Sequence, residues 1–256
     1  MSTLEDLALR WSASERVVVL TGAGMSTASG IPDFRSPGGR WSTYQPVTLQ
    51  AFLASEEKRA EYWRYKAETW KVISEAEPNP AHRALTDLAG VDALRLLVTQ
   101  NIDGLHERSG FPADRLITIH GTDSAVQCLQ CGRREPREVA HAQWVAGVAV
   151  PACPNCGAAW KPATVSFGQA LVEEDLERAF AEAGSCDLFV AAGTSLVVSP
   201  INQMFLFARQ SGAPTAILTA SETPFDVDCD WKVENPVEVS LPFLAERVLA
   251  DQTDQA

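Results

Sequence analysis

The sequence predicts a doubly wound α/β fold, in which helices cover both faces of a parallel sheet. Apolar runs of strand length alternate along the chain with segments of helical periodicity. Several of those runs are almost continuously apolar, as strands are when both faces of their sheet are buried. With 256 residues, 46% of them hydrophobic and 21% charged, the chain is long enough for one large core or for one domain with a sizeable insertion.

Five apolar runs are predicted as strands of the sheet, and four helical patterns are predicted as its helices. The strands are Arg16–Thr21, Leu94–Thr99, Leu116–His120, Asp187–Ala192 and Pro214–Thr219. The helices are Ala81–Ala89, Val172–Ala183, Ile201–Gln210 and Leu241–Leu249. Residues 188–208 carry no charge, but glycine, proline and polar residues interrupt them, so we expect strand, turn and helix rather than a membrane span.

Two segments are too long for simple connections and predict a second, smaller lobe. A segment rich in Trp and Tyr, Leu49–Ser74, predicts one or two extra helices, and a cysteine-containing segment lies between residues 122 and 164. We therefore expect a Rossmann-like domain formed by residues 1–41, 81–121 and 165–256. Residues 42–80 and 122–164 would form the small lobe, with a cleft between the two.

Four of the six cysteines have the spacing of a zinc ribbon. Cys128-x-x-Cys131 and Cys153-x-x-Cys156 are separated by 21 residues, and a glycine follows each pair. Four thiolates fill the tetrahedral shell of Zn²⁺ and leave no position for water, so the pattern predicts one structural zinc ion. Four ordinary buried cysteines, or two redox pairs, are the alternatives.

The net charge of −12 argues against direct binding of nucleic acid, because an acidic surface repels the phosphate backbone. The first 16 residues include Glu5 and Asp6 and contain no apolar core of signal-peptide length. We therefore expect a cytoplasmic protein with reduced thiols and no membrane partner.

A glycine-rich turn follows the first predicted strand and is a candidate phosphate-binding loop. In Gly22-Ala23-Gly24 the backbone can approach a diphosphate closely, and the amides that follow attract anions. An ordinary glycine turn is the alternative. The sequence lacks a dehydrogenase G-x-G-x-x-G motif here, because Thr27 occupies the sixth position, and it contains no G-x-x-x-x-G-K-[ST] motif.

Polar side chains follow the second and third predicted strands, where open α/β sheets bind their ligands. Gln100, Asn101 and Asp103 come after the second strand and could hold a carboxamide and a ribose, or could form a hydrogen-bonded loop or a helix cap. His120 ends the third strand, where an imidazole could exchange a proton near neutral pH or could be a satisfied core histidine. We expect structural roles for the other three histidines, His82, His106 and His141.

Read in order, these motifs resemble those of the sirtuins, the NAD-dependent protein-lysine deacylases. The glycine turn is followed by SGIPDFR from residue 29, TQNIDGLH from residue 99, HG at 120, the paired CxxC motifs, FG at 167 and GTSL at 193. Seven motifs in the family's order, over about residues 17 to 244, make the resemblance specific.

The resemblance implies a deacylase with acetyl-lysine as the favoured substrate, NAD as co-substrate, and nicotinamide and O-acyl-ADP-ribose as products. Its partners would be acyl-lysine proteins and NAD. The implied catalytic residues are His120, as the general base, with Asn101 and Asp103. The implied NAD contacts are Gly22, Ala23, Gly24, Asp33, Phe34, Arg35, Gln100, Asn101, Asp103, Gly193, Thr194 and Ser195. The acyl-lysine peptide would contact Val165, Phe167 and Gly168, and the zinc ion Cys128, Cys131, Cys153 and Cys156.

The sequence departs from the family pattern at three places. Gln169 stands where most sirtuins have Glu, and Thr219 stands where many use Asn to bind the adenosine ribose. Trp63 and Lys66 replace the Tyr-x-x-Arg pair with which acid-selective sirtuins bind succinyl groups, which favours apolar acyl groups. Two other functions stay open at this point: ADP-ribosyl transfer or NAD hydrolysis in the same pocket, and a catalytically silent NAD- or ADP-ribose-binding module.

Overall fold

Two β-sheets organise the computed structural model, which describes residues 3–33 and 45–255. The strands are β1 (Val17–Thr21), β2 (Leu96–Thr99), β3 (Leu116–Thr118), β4 (Gly121–Cys128), β5 (Arg134–Pro136), β6 (Trp160–Thr164), β7 (Leu188–Ala192), β8 (Thr215–Leu218) and β9 (Trp231–Val233). Among the described residues, a six-stranded parallel sheet has the order β3-β2-β1-β7-β8-β9, and an antiparallel sheet has the order β5-β4-β6. The parallel order reverses between β1 and β7, and such a switch point is where open α/β sheets bind ligands.

The residues of β1 alternate between two hydrophobic cores, one on each face of the parallel sheet. Val17 and Val19 belong to one core and Val18 and Leu20 to the other, and all four side chains are fully buried. A strand buried on both faces needs apolar residues at every position, which explains the unbroken apolar run in its sequence.

Helices cover both faces of this sheet, as the sequence predicts. They are α1 (Leu4–Ser12), α2 (Leu49–Ala54), α3 (Glu56–Glu75), α4 (Pro80–Gly90), α5 (Leu105–Arg108), α6 (Arg137–Val145), α7 (Glu173–Ala183), α8 (Met204–Gln210) and α9 (Val237–Gln255). Helices α1, α4 and α9 pack on one face, and α7 and α8 pack on the other. A short 3-10 turn at Ala23–Met25 directly follows β1.

The start of α4 is encoded locally and also supports the glycine-rich turn. The side chain of Asn79 accepts a hydrogen bond from the Ala81 backbone, and Pro80 takes the first helical position, where its missing N–H group is not needed. The Asn79 amide also donates to the carbonyl of Met25 at 2.7 Å and to the hydroxyl of Ser29 at 3.0 Å. One cap therefore fixes both a helix and the turn after β1.

The antiparallel sheet builds a second, smaller core together with α2, α3 and α6. Trp63 of α3 is fully buried there with Val126 and Trp160, and its indole N–H donates to the Trp160 carbonyl at 2.9 Å. The smaller lobe predicted from the sequence is therefore present. The residue limits of the two lobes stay a prediction.

The predicted elements of the parallel sheet are present with shifted ends. The predicted helix Ile201–Gln210 begins as a 3-10 turn at Ile201–Gln203 and continues as α8. Helix α1 and strand β9 were not predicted. Within the ranges that the structure describes, no helix is both long enough and apolar enough to cross a membrane.

Candidate functional site

Glycines bring the ends of β1 and β7 into contact at the switch point. The Gly24 N–H donates to the Gly193 carbonyl at 2.8 Å. A Cβ atom on Gly22 would lie 2.8 Å from the Thr194 Cβ, and one on Gly24 would lie 2.9 Å from the Gly193 Cα. Gly193 itself has φ +60°, which favours glycine. These glycines are therefore required by the approach of two backbones, separately from the predicted contact with a diphosphate.

Three buried polar side chains form a hydrogen-bonded chain beside this turn. The Ser26 hydroxyl donates to Oδ2 of Asp103 at 2.7 Å and accepts from Nδ2 of Asn101 at 3.1 Å. The same Nδ2 donates to the Gly22 carbonyl at 3.0 Å, so the Asn101 amide can offer a ligand only its Oδ1 acceptor. Burial raises the pKa of Asp103, and hydrogen bonds from the Leu105 backbone and Ser26 oppose that shift.

Gln100 connects the end of β2 to the loop after β7. Its Nε2 donates to the Thr194 hydroxyl at 2.9 Å and to the Thr21 carbonyl at 3.2 Å. Thr194 in turn accepts from the Leu196 backbone at 3.2 Å. The structure therefore brings Gln100, Asn101 and Asp103 together with the Gly193–Ser195 segment at one edge of the parallel sheet.

A backbone carbonyl orients the imidazole of His120. Its Nδ1 lies 3.1 Å from the carbonyl oxygen of Gln100, and because that oxygen can only accept, Nδ1 carries the proton and Nε2 keeps its lone pair. Burial lowers the pKa of His120, and the hydrogen bond to Gln100 partly offsets this effect. At neutral pH the ring is therefore neutral and its Nε2 can accept a proton.

His82 and His106 are buried beside each other, with ring centroids 4.8 Å apart. Nε2 of His106 lies 3.2 Å from the Thr21 hydroxyl. Burial lowers the pKa of His82 to about 4 and the pKa of His106 well below its usual value. His141 stacks on Trp144 within α6. These environments agree with structural roles for all three histidines.

The predicted peptide-binding segment follows β6 and is joined to His120. The Val165 N–H donates to the His120 carbonyl at 2.8 Å. The side chain of Phe167 is exposed and Gly168 has φ +78°. Gln169 closes the turn, because its Oε1 accepts the backbone N–H of Ser166 at 3.1 Å. A short segment, half-buried at Val165 and exposed at Phe167 and Gly168, thus lies directly beside the candidate base.

The four predicted metal ligands lie together in the small lobe. Their sulfur atoms all lie within 4.8 Å of one another, with Sγ–Sγ distances of 3.4 Å for Cys128–Cys156 and 3.7 Å for Cys131–Cys153. A tetrahedral site with Zn–S bonds of about 2.3 Å has edges of about 3.8 Å. The glycine after each pair has a positive φ, and its N–H donates to the carbonyl of the first cysteine of that pair. The cluster fits one zinc ion.

Two predicted NAD contacts, Phe34 and Arg35, lie outside the described residues, and Asp33 is the last residue described before them. Ser26 was not among the predicted site residues, although it lies in the glycine-rich turn. A serine there is a common turn residue, and only the folded chain reveals that its hydroxyl joins Asn101 to Asp103.

The polar groups at this edge fit a dinucleotide. A carboxylate, two amides and an imidazole meet at the carboxyl ends of parallel strands, beside a glycine-rich turn that enters a 3-10 turn. Such groups can bind ribose hydroxyls and a carboxamide, and the turn presents backbone amides to phosphates.

A model of the Sir2 family matches residues 22–200. The chain is 36% identical to the NAD-dependent protein deacetylase of Rhodopseudomonas palustris, over 95% of this chain and 96% of that protein. It is 37% identical to NAD-dependent protein deacetylase 1 of Bradyrhizobium diazoefficiens over the same shares. A solved structure of Sir2 with a p53 peptide and NAD+ superposes with a TM-score of 0.86 at 30% identity, covering 98% of this chain and 99% of that one.

Proposed function

We propose, since this chain belongs to the Sir2 family, that it is an NAD-dependent protein deacetylase acting on acetyl-lysine. The observation that carries the proposal is the placement of His120, with Nε2 free to accept a proton, between the Gln100–Asp103 loop and the segment that starts at Val165. The relatives named above support it, because two are NAD-dependent protein deacetylases and one was solved with a peptide and NAD+.

When bound, NAD supplies the ribose that receives the acyl group and the nicotinamide that leaves. The Oδ1 of Asn101 would accept a hydrogen bond from the carboxamide, because its Nδ2 is already committed to Gly22 and Ser26. The carboxylate of Asp103, fixed by Ser26 and by the Leu105 backbone, would orient ribose or water. His120 would take a ribose hydroxyl proton on Nε2, while its Nδ1–H stays on the Gln100 carbonyl and stabilises the charged ring.

The remaining contacts inferred from the family are part of the same proposal. NAD would also contact the glycine-rich turn, the segment from Asp33 to Arg35 and the Gly193–Ser195 loop. The acyl-lysine peptide would lie along Val165–Gly168 as an added strand. The cysteine cluster would hold one structural zinc ion, which has no place for a reacting water. We also propose a cytoplasmic location, where thiols stay reduced.

The test incubates the purified protein with NAD and an acetyl-lysine peptide and measures free peptide, nicotinamide and O-acetyl-ADP-ribose. We expect equal amounts of the three products and none without the acetyl group, with the unacetylated peptide as the matched control. Nicotinamide release without acetyl peptide would instead indicate NAD hydrolysis, and labelled ADP-ribose on protein would indicate ADP-ribosyl transfer. Stoichiometric NAD binding without turnover would indicate a silent binding module.

A further inference from the structure

A buried ion cluster joins three elements of the small lobe. The carboxylate of Asp123 on β4 lies 3.1 Å from the ammonium of Lys66 on α3 and 3.1 Å from Nε of Arg137 on α6. Asp123 and Arg137 are fully buried, and Lys66 is 7% exposed. Arg137 also donates to the Lys66 carbonyl at 3.1 Å and stacks on the Trp63 ring at 4.7 Å.

Stability alone does not explain such a cluster. Removing charges from water costs more than a typical ion pair returns, and well-packed apolar residues often serve as well or better. Buried charges are instead useful where a fold must choose one arrangement among several, because a misplaced buried charge is strongly unfavourable.

Asp123 lies three residues after His120, beside two of the points at which the chain passes between the two lobes. One crossing is His120–Gly121 and the other is Thr164–Val165, and the two are paired: Gly121 opposes Thr164, and the Val165 N–H donates to the His120 carbonyl at 2.8 Å. The candidate base and the start of the peptide-binding segment are therefore placed by the same short stretch of strand.

Strand pairing does not secure this stretch by itself, because the β4–β6 register shifts between Gly121 and Val126. Asp123 lies inside the shifted segment. Its side chain is held by Lys66 and Arg137, and its backbone N–H donates to the Ile102 carbonyl at 2.8 Å, between Asn101 and Asp103. A single residue thus connects the small lobe to the loop that follows β2 and to the strand that follows His120.

We propose that Asp123 is a positioning residue of the deacetylase: its pairing with Lys66 and Arg137 fixes the β4 irregularity, so that His120 and the segment Val165–Gly168 keep their relative placement. The proposal rests on the proposed deacetylase function. It assigns Asp123 no contact with substrate. It also commits Lys66 to a protein carboxylate, which removes it from the groups that could bind an acidic acyl chain.

The test variant is Asp123→Asn, which keeps the shape of the side chain and removes its charge. We expect kcat/KM for the acetyl peptide to fall about tenfold to a hundredfold, since small displacements of reacting groups have effects of this size. Much of this loss should appear as a higher KM for the peptide. The Kd for NAD alone should stay within about threefold of wild type. Asp123→Glu, which restores the charge, should recover part of the lost activity.

Val248→Ala is the matched control, because Val248 of α9 is fully buried in the core on one face of the parallel sheet, outside the small lobe. It lowers stability without touching the cluster, so its peptide KM should equal that of wild type. Hydrogen exchange gives a second readout: residues 119–124 and 163–168 should exchange faster in Asp123→Asn but not in Val248→Ala. If Asp123→Asn does not fold, Lys66→Met is tested in its place. We then expect a smaller rise in the peptide KM and a smaller increase in local hydrogen exchange.

The proposal is overturned if Asp123→Asn matches Val248→Ala in peptide KM and in local exchange, or if NAD and peptide binding weaken equally. Wild-type protein in the same assay separates this result from a failure of the proposed function. If wild type does not deacetylate the peptide, the deacetylase assignment fails, and the exchange measurement still reports whether Asp123 holds the two crossings together.

Discussion

The sheet edge and the cysteine cluster are both polar centres, and different forces hold them together. At the sheet edge, Ser26, Asn101 and Asp103 are buried and hydrogen-bond to one another and to nearby backbone groups. In the cysteine cluster, Cys131 and Cys156 are exposed, and the thiols face one another at 3.4 and 3.7 Å.

The difference predicts what damage to each centre does. A thiol is a weak hydrogen-bond donor and acceptor, so four of them gain little from approaching one another unless a metal ion binds them. With zinc bound as proposed, the cysteine cluster would support the fold through that ion, whereas the sheet edge is already held by the fold and is available for chemistry. Loss of one cysteine ligand should therefore destabilise the folded protein. Loss of one polar residue at the sheet edge should instead lower the enzymatic activity.

The largest expected effect is that of Cys128→Ala on the free energy of unfolding. We expect a loss of more than about 4 kcal/mol, because an incomplete ligand set no longer retains the ion whose binding stabilises the small lobe. Cys186→Ala, at a buried cysteine outside the cluster, is the matched control and should cost about 1 kcal/mol. Urea denaturation and metal analysis of the purified protein check this, with about one zinc ion per wild-type chain. A stable and fully active protein without zinc would contradict it.

The second effect is that of His120→Ala on deacetylation. We expect a loss of about 10²–10⁴-fold, the contribution of a general base, with little change in the melting temperature. If the base acts only after the nicotinamide has left, exchange of labelled nicotinamide into NAD, with acetyl peptide present, should fall much less. Asn101→Ala should instead lower both rates, since Asn101 is assigned to cofactor binding.

Equal loss of exchange and deacetylation in His120→Ala, in a folded protein that still binds NAD, would place the action of His120 earlier. His120 would then help to hold the site together. The sheet edge would in that case resemble the cysteine cluster, in which the loss of one side chain damages the structure.

The third effect is a loss of stability in acid through His82. Burial lowers its pKa from 6.5 to about 4, so the unfolded chain binds a proton more tightly than the folded protein does. The free energy of unfolding is therefore unaffected by His82 well above pH 6.5 and decreases as the pH falls. The decrease is about 2 kcal/mol at pH 5 and about 3 kcal/mol near pH 4.

Urea denaturation at pH 7 and pH 5 measures this dependence. His82→Gln should reduce this dependence without removing it, because burial also lowers the pKa of His106. His141→Gln, at a less buried ring on α6, should change it much less. An unchanged slope in His82→Gln would show that other groups carry the acid sensitivity.

The smallest expected effect concerns the acyl group. The ammonium of Lys66 lies 3.1 Å from the carboxylate of Asp123, which neutralises its charge. A succinyl carboxylate would therefore find no unpaired cation at Lys66. Acetyl-lysine peptide should therefore be turned over with a kcat/KM at least about tenfold higher than succinyl-lysine peptide. A higher value for the succinyl peptide would show that Lys66 leaves Asp123 when substrate binds.

Sequence reasoning predicted the elements with a strong periodic signal and missed those that depend on neighbours. The apolar runs that became β1, β2 and β7 were predicted, because strands buried on both faces must be apolar throughout. Strand β9 was missed, since its three residues include Lys232 and become a strand only beside β8. Helix α9 was predicted to start at Leu241, yet it begins at Val237 and contains Pro242.

The sequence by itself determined the parts of the site that are written in consecutive residues: the glycine-rich turn, the Gln100–Asp103 loop, His120 and the paired cysteines. Only the tertiary structure decided which of these groups touch. It joined Ser26 to Asp103 across 77 residues and Lys66 to Asp123 across 57 residues. The physical reason is that a local motif reflects local backbone requirements, whereas the partners of a buried polar group are chosen by the packing of distant elements, which must satisfy every charge and hydrogen bond that they remove from water.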